Sequence, residues 1–254
     1  VRHREDHAKL TGVRRFSAEW EAQASLRLRE GDATVLEEYE RHGRIEQGSG
    51  EEVLDAAHRA WRADWLSGRR TVLIADTNEA VTELNVRARR DRLLLGEVDA
   101  TEAVRLRDGV QAGRGDLVVT RQNDRRLRAG SDWVRNGDRW TIDRVHPDGS
   151  LTLSRLGSSR GLLRLPATYV AAHLDLGYAV TVHRAQGSTV DSAHAVVLSG
   201  TTTREAFYVA MTRGRRSNIA YVAVDRDAFE AHQRDDDDGR AVLAEVLSRT
   251  SVEP

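Results

Sequence analysis

The run Thr71-Val-Leu-Ile-Ala75, bounded by Arg70 and Asp76, limits what this chain can fold into more than any other stretch. Past Thr71 no polar residue alternates with the apolar ones, so a strand here must be covered on both faces, as in parallel sheets. Thr77-Asn78 then predicts a capped helix to about Leu95, closed by Gly96. Buried strand followed by helix is the repeating unit of an open parallel sheet. The same texture returns late in the chain, with strands expected over 179–182, 194–198 and 219–224 and a helix over 204–212.

Before the first strand the pattern is helical. Ser17 is positioned to cap a helix through about residue 30, with Trp20, Ala24 and Leu28 at i, i+4 spacing and Gly31-Asp32 as its stop. Further helices are expected over 36–41 and about 51–66, the latter with Val53, Ala57 and Trp61 on one face. Residues 1–16 are basic and read as a connecting segment. Between about 105 and 172 short β-rich runs replace this pattern: Asp116-Leu-Val-Val-Thr120, Arg139-Trp-Thr-Ile-Asp143 and Ser150-Leu-Thr-Leu-Ser154. They are separated by Gly113-Arg-Gly115, Asn136-Gly137 and Pro147-Asp-Gly149, and Asn-Gly or Asp-Gly between such runs signals hairpins. The expected organisation is therefore an α/β domain over 1–104, a small antiparallel barrel inserted over 105–172, and the rest of the α/β domain over 173–254. An acidic run at 235–238 reads as a solvated turn before a last helix over 240–247.

At 254 residues, 39% hydrophobic and 31% charged, the chain suits one large soluble domain or two smaller ones. It has no apolar run of membrane-spanning length and no export signal pattern. With no cysteine there can be no disulfide or thiolate zinc site, which points to the cytoplasm. The 39 basic and 40 acidic residues give a net charge of −1, which neither supports nor excludes nucleic-acid binding. Lys9 is the only lysine and sits in His7-Ala-Lys-Leu-Thr11 with no glycines before it, so a Walker A loop is missing. The chain starts at Val1 and its one methionine is Met211, so it reads as a piece of a longer protein. No two of the nine histidines pair at ligand spacing on a helix face, and no metal site is expected.

Two strings carry the chemistry. Tyr178-Ala-Val-Thr-Val-His-Arg-Ala-Gln-Gly-Ser-Thr-Val-Asp191 reads as a buried strand breaking into a polar turn at Gln186-Gly187-Ser188. Arg204-Glu-Ala-Phe-Tyr-Val-Ala-Met-Thr-Arg-Gly-Arg215 reads as a helix delivering Thr212 and Arg213 at its C-terminal end. Polar groups and free N–H donors in such a turn can fix a nucleic-acid backbone without reading bases; equally, they can satisfy their own main chain. Arg213 can be an arginine aimed at a phosphate or one favoured by the dipole at a helix C-terminus. In the inserted region Arg121, Arg125, Arg126 and Arg128 with Trp133 and Trp140 suit single-strand binding. Trp140 also fits a barrel core, and Trp20, Trp61 and Trp65 fit helix packing.

Thr181-Val-His-Arg-Ala-Gln-Gly-Ser188 and Tyr208-Val-Ala-Met-Thr-Arg213 resemble motifs V and VI of superfamily 1 DNA helicases. The likeness is to the RecD-like branch and to the helicase part of MobF-type conjugative relaxases, the TraI, TraA and TrwC group. Leu10-Thr-Gly-Val-Arg-Arg-Phe16 resembles motif IV, and Thr77-Asn78 with Leu84-Asn85 the helix that follows it. The inserted barrel, with Gly115-Asp116-Leu-Val-Val119 and Asn136-Gly-Asp138, resembles an SH3-like insertion. The resemblance implies a RecA-like P-loop NTPase-type fold: the second of two motor domains that clamp ATP and Mg, the first domain holding most of both. It implies single-stranded DNA and that first RecA-like domain as partners, and 5′→3′ movement. Arg213 and Arg15 are the implied contacts to the γ-phosphate, although a basic linker also explains Arg15 beside Arg14. Gly187 and Asp191 fall on the nucleotide side. Many members place Glu two residues after the Gly187 position, where this chain has Thr189, so the resemblance leaves Asp191 as the alternative carboxylate for a ribose contact. Thr181, His183, Gln186, Gly187, Ser188 and Asn78 are the implied DNA contacts, joined by Arg125 and Arg126. Two readings follow: the C-terminal motor half of an ATP-dependent DNA helicase, inactive alone, or a non-catalytic single-stranded DNA-binding or assembly module derived from one.

Overall fold

The computed structural model describes residues 16–156, 161–198, 200–224 and 239–250. The chain begins with α1 (Glu19–Glu30), α2 (Leu36–Arg41), β1 (Ile45–Gly48), α3 (Gly50–Leu66), β2 (Thr71–Ala75) and α4 (Asn78–Leu94). An antiparallel stretch follows with β3 (Asp99–Arg105), β4 (Gln111–Arg114), β5 (Leu117–Thr120), β6 (Asp124–Ala129) and β7 (Asp132–Val134). It continues through β8 (Arg139–Val145), β9 (Leu151–Arg155), β10 (Leu163–Leu165), α5 (Ala167–His173) and β11 (Leu174–Leu176). The chain then returns to β12 (Ala179–Thr181), α6 (Val182–Ala185), β13 (Val190–Val197), α7 (Arg204–Ala210), β14 (Gly214–Ala223) and α8 (Gly239–Ser248).

The frame is a five-stranded parallel sheet in the order β1-β14-β13-β2-β12. Every residue of β2 is buried, as its composition requires. Leu73 and Ala75 face a core with Ala57, Trp61 and Leu84, while Val72 and Ile74 face one with Leu28, Tyr39, Phe207 and Leu243. Strand alternation thus feeds two helical layers, α3 and α4 on one face, α1, α2, α7 and α8 on the other. The first of these cores does not stop at the sheet. It runs on into Trp140, Leu151, Leu153 and Leu163 of the antiparallel stretch.

That stretch is a five-stranded antiparallel sheet, β10-β9-β8-β5-β11, with two separate hairpins, β3-β4 and β6-β7. Pro147-Asp148-Gly149 joins the paired strands β8 and β9, as expected. Asn136-Gly137 does not close a hairpin: β7 pairs with β6, and β8 pairs with β5 and β9. Likewise Gly113 lies within β4, and the turn at Gly115 leads into β5 without those two strands pairing. Turn chemistry identified the turns correctly but not their partners, because pairing is decided by the core.

Charged groups lock the antiparallel region to the parallel one. Asp116, fully buried, accepts hydrogen bonds from Tyr178 Oη (2.7 Å), Arg89 Nε (2.9 Å) and the Gly113 N–H (2.8 Å). Arg92 donates to the Gly115 carbonyl and lies 4.5 Å over the Trp65 ring. Arg139 in β8 reaches across to the carbonyls of Gly177 and Thr71, and burial pulls its guanidinium down to about 10.

Local expectations needed three corrections. Ser17 does not cap α1: Ala18 is the N-cap, with no side-chain bond, and the Ser17 N–H instead donates to the Arg215 carbonyl. Helix α3 covers the expected residues, starting at Gly50 under a capping box between Ser49 and Glu52. The edge strand β1 went unread because Glu46 and Gln47 give it no apolar run. Val182 begins a short helix rather than ending a strand, because Val182 and Ala185 are buried at helical spacing while His183 and Gln186 face outward.

Candidate nucleic-acid interface

The segment 178–191 crosses the sheet. Thr181 ends β12 beside Ala75, the last residue of β2, at the C-terminal rim of the strands. Helix α6 and a turn then carry the chain to Val190, whose N–H donates to the Arg213 carbonyl at the N-terminal rim. At roughly 3.3 Å per residue the five residues of β2 put these rims about 17 Å apart. The residues of one string therefore serve two different places.

At the C-terminal rim Thr181, His183, Gln186 and Asn78 line one cleft of about 880 Å³ together with Asp76, Thr202, Thr203, Arg184 and, from the antiparallel region, Asn136 and Gly137. This is the crevice where the strand order reverses between β2 and β13, the usual ligand position in open α/β sheets. Asp76 ties the rim together by accepting from the Leu198 N–H (3.0 Å) and the Thr202 hydroxyl (2.8 Å). Thr181 occupies the N-cap position of α6 without a side-chain capping bond, and His183 and Gln186 are exposed. Asn78 opens the 17-residue α4, whose N-cap Thr77 hydroxyl accepts from the Ala80 N–H, and the positive end of this long helix faces the cleft. The arrangement offers small donors and a helix dipole to an anionic backbone.

Gly187 and Ser188 lie beyond the cleft lining. Gly187 has φ +86°, a left-handed conformation that favours glycine, and it turns the chain out of α6. The Ser188 hydroxyl donates to the Ala185 carbonyl at 2.6 Å, the self-satisfied turn that was the alternative for this string.

At the N-terminal rim, Asp191 accepts from both the Arg70 N–H (3.0 Å) and the Arg70 guanidinium (3.2 Å), bonds that hold its carboxyl below the usual range. Arg213 stands beside Val190, only 6% exposed. Its Nε donates to the Val209 carbonyl (2.7 Å) and Nη2 to the Thr212 hydroxyl (2.8 Å), covering the open end of α7. The turn after it is fixed by side chains that no local pattern singles out. Asn218 bonds both the N–H and carbonyl of Gly214, and Glu21, buried in α1, accepts from Asn218 at 2.9 Å. Burial raises the Glu21 carboxyl despite that bond. A Cβ at Gly214 would sit 2.1 Å from the Ser217 carbonyl oxygen, so only glycine allows this approach.

Arg125 and Arg126 are on β6, outside the cleft lining. Arg126 pairs with Asp124 at 3.0 Å, and Arg125 lies 5.5 Å over the Trp133 ring. Trp140 is core, fully buried, and so is Trp61, whereas Trp20 and Trp65 are half-buried. Arg15 lies outside the described residues, as does most of the segment 10–16. No group of three or more His, Asp or Glu among the described residues could hold a metal ion. No helix among them is long and apolar enough to cross a membrane.

The model of the UvrD-like helicase C-terminal domain matches residues 176–235, and that of an AAA domain matches residues 1–50. The uncharacterized protein Rv2311 of Mycobacterium tuberculosis is 39% identical over 128 residues, 50% of this chain and 70% of that protein. The conjugal transfer protein TraA of Agrobacterium fabrum is 29% identical over 97% of this chain and 21% of its own length. Among solved structures, Pif1 helicase from Bacteroides in complex with ADP-AlF3 and ssDNA matches with a TM-score of 0.48 and 16% identity, over 87% of this chain and 51% of that one. The chain carries a UvrD-like helicase C-terminal domain and is a homologue of TraA conjugal transfer proteins. It belongs to one family with the mycobacterial protein, and it spans about a fifth of the length of TraA.

Proposed function

We propose that the chain is the C-terminal motor half of an ATP-dependent DNA helicase, moving 5′→3′ within a conjugative DNA-transfer protein of the relaxase type. The observation that carries this reading is the single cleft shared by Thr181, His183, Gln186 and Asn78, roofed by Asn136 and Gly137. In it the cleft residues hold the phosphates of single-stranded DNA, and the antiparallel region, an SH3-like module in this reading, forms the opposite wall. ATP with Mg would supply the driving hydrolysis, held mainly by a first RecA-like domain with a Walker A loop. Arg15 and Arg213 would lend positive charge to the phosphates from this side, with Gly187 and Asp191 close by. The fit at that rim is partial, since Arg213 is engaged by α7 and Asp191 by Arg70.

The test is binding of a labelled oligo(dT) followed by fluorescence anisotropy. The chain is expected to bind, and Thr181→Ala with His183→Ala to weaken binding at least about tenfold, two lost phosphate contacts at roughly 1 kcal/mol each. Unchanged binding in the double variant would defeat the cleft assignment. The self-capped Arg213 favours a second reading, a single-stranded DNA-binding module without catalytic use of that arginine. ATPase measurements on a longer polypeptide that includes a Walker A loop separate the two.

A further inference from the structure

The cleft does not end at Asn78. A second depression of about 340 Å³ adjoins it and shares Asn78 and Arg184 as lining residues. Its floor holds Arg107, just after β3, Arg121, just after β5, and Asp175 in β11. Asp175 is buried and fully committed. Its Oδ1 accepts from Arg107 Nε at 2.9 Å, and its Oδ2 from Arg107 Nη2 at 3.0 Å and Arg121 Nη1 at 2.6 Å. The pairing of β11 with β5 opposes Asp175 to Val119, and just beyond it the N–H groups of Arg107 and Arg121 donate to the carbonyls of Leu174 and His173, which brings both arginines beside Asp175.

Arg184 completes the group from α6 and has no such partner among the described residues. It is half-buried, and burial, then the neighbouring charges of Arg121 and Arg107, pull its guanidinium below the usual value against the opposing pull of Asp175. The remaining acid on this wall, Asp108, is exposed and accepts from the Val110 N–H. Three guanidinium groups against two carboxylates leave one positive charge, and its carrier faces both depressions. A pair of arginines sharing one carboxylate, beside a third guanidinium with no ion pair of its own among the described residues, is suited to a bidentate anion such as a phosphodiester.

We propose that Arg184, backed by Arg107 and Arg121, is a phosphate subsite through which a single strand leaves the cleft between α4 and the antiparallel region. The strand then does not pass over the β6-β7 hairpin, where Asp124 already neutralises Arg126. This rests on the single-strand reading of the cleft and extends it by naming the exit.

The experiment measures oligo(dT) affinity of the full chain against salt concentration, for the native chain and for Arg184→Gln, Arg184→Lys and Arg126→Gln. Each phosphate neutralised adds about −0.7 to the slope of log affinity against log salt for single strands. Arg184→Gln is expected to lose about 0.7 of that slope and roughly three- to thirtyfold in affinity at low salt, with an unchanged melting temperature. Arg184→Lys should restore the slope, and Arg126→Gln should leave it alone. A native slope in Arg184→Gln would overturn the exit while leaving the cleft reading intact, and loss of slope in Arg126→Gln would move the path to the β6-β7 hairpin. A native chain that does not bind the oligonucleotide at all would overturn both.

Discussion

At Arg213 the guanidinium already caps the Val209 carbonyl at the end of α7, so removing it takes away both a helix cap and any charge lent to a phosphate. The two roles separate by measurement. Arg213→Ala is expected to lower unfolding free energy by about 1–3 kcal/mol in chemical denaturation, the usual range for a charged hydrogen bond. In a longer polypeptide with a Walker A loop, both Arg213→Ala and Arg213→Lys should lower DNA-stimulated ATPase by about 10³-fold or more. Full activity in the lysine variant would remove the finger role and leave only the cap. A second residue-scale prediction concerns Asp64. Burial alone would raise its carboxyl, but hydrogen bonding from His194 and the nearby charge of Arg69 bring it down to about 2. Its ionised form is thus favoured by folding, and that contribution is complete above the ordinary aspartate value near 4. It is lost as pH falls from about 4 towards 2, by an amount on the order of 1–2 kcal/mol after solvent screening. Asp64→Asn should flatten the acid limb of a stability–pH curve while leaving its slope near neutrality unchanged.

Among elements, α4 does the most to place the cleft. It supplies Asn78 at its start, and seven residues on Asn85 points into the sheet. Asn85 Oδ1 accepts from the N–H groups of Tyr178 and Ala179, and Nδ2 donates to the Ala179 carbonyl at 3.1 Å. β12 therefore starts where α4 dictates. Asn85→Ala leaves three buried main-chain groups without partners and should cost about 2–4 kcal/mol by denaturant titration. Thr77→Ala, which removes only a cap, should cost about 1 kcal/mol in the same assay. The contrast also explains what could be read beforehand. The apolar run of β2 and the cap of α4 are local signals, and both were legible. Asn85 was quoted only as part of a resemblance, and Asn218 and Glu21 not at all, because a buried polar side chain reveals its purpose only through partners 93 and 197 residues away. Likewise His183 and Asp191 sit close in sequence, yet the string between them crosses from one rim of the sheet to the other.

For the molecule as a whole, the antiparallel region and the parallel sheet have one core between them on the α3 side. Leu73, Trp61 and Tyr178 pack in the same cluster as Trp140, Leu151 and Leu165, and Asp116, Arg92 and Arg139 bridge the two by hydrogen bonds. A region joined by a flexible stalk would melt separately, whereas a shared core makes unfolding all-or-none. Thermal unfolding followed by tryptophan fluorescence and by far-ultraviolet circular dichroism should give coincident transitions. Two resolved transitions would mean that the bridge is weaker than its contacts suggest. The same continuity limits how such a chain can be cut down. Excising the strands from 99 to 176 to obtain a minimal motor unit would strip the cover from Trp61 and Leu73 and take away the Gly115 carbonyl to which Arg92 donates. What looks in the linear order like a detachable cassette is, in three dimensions, the other half of a wall.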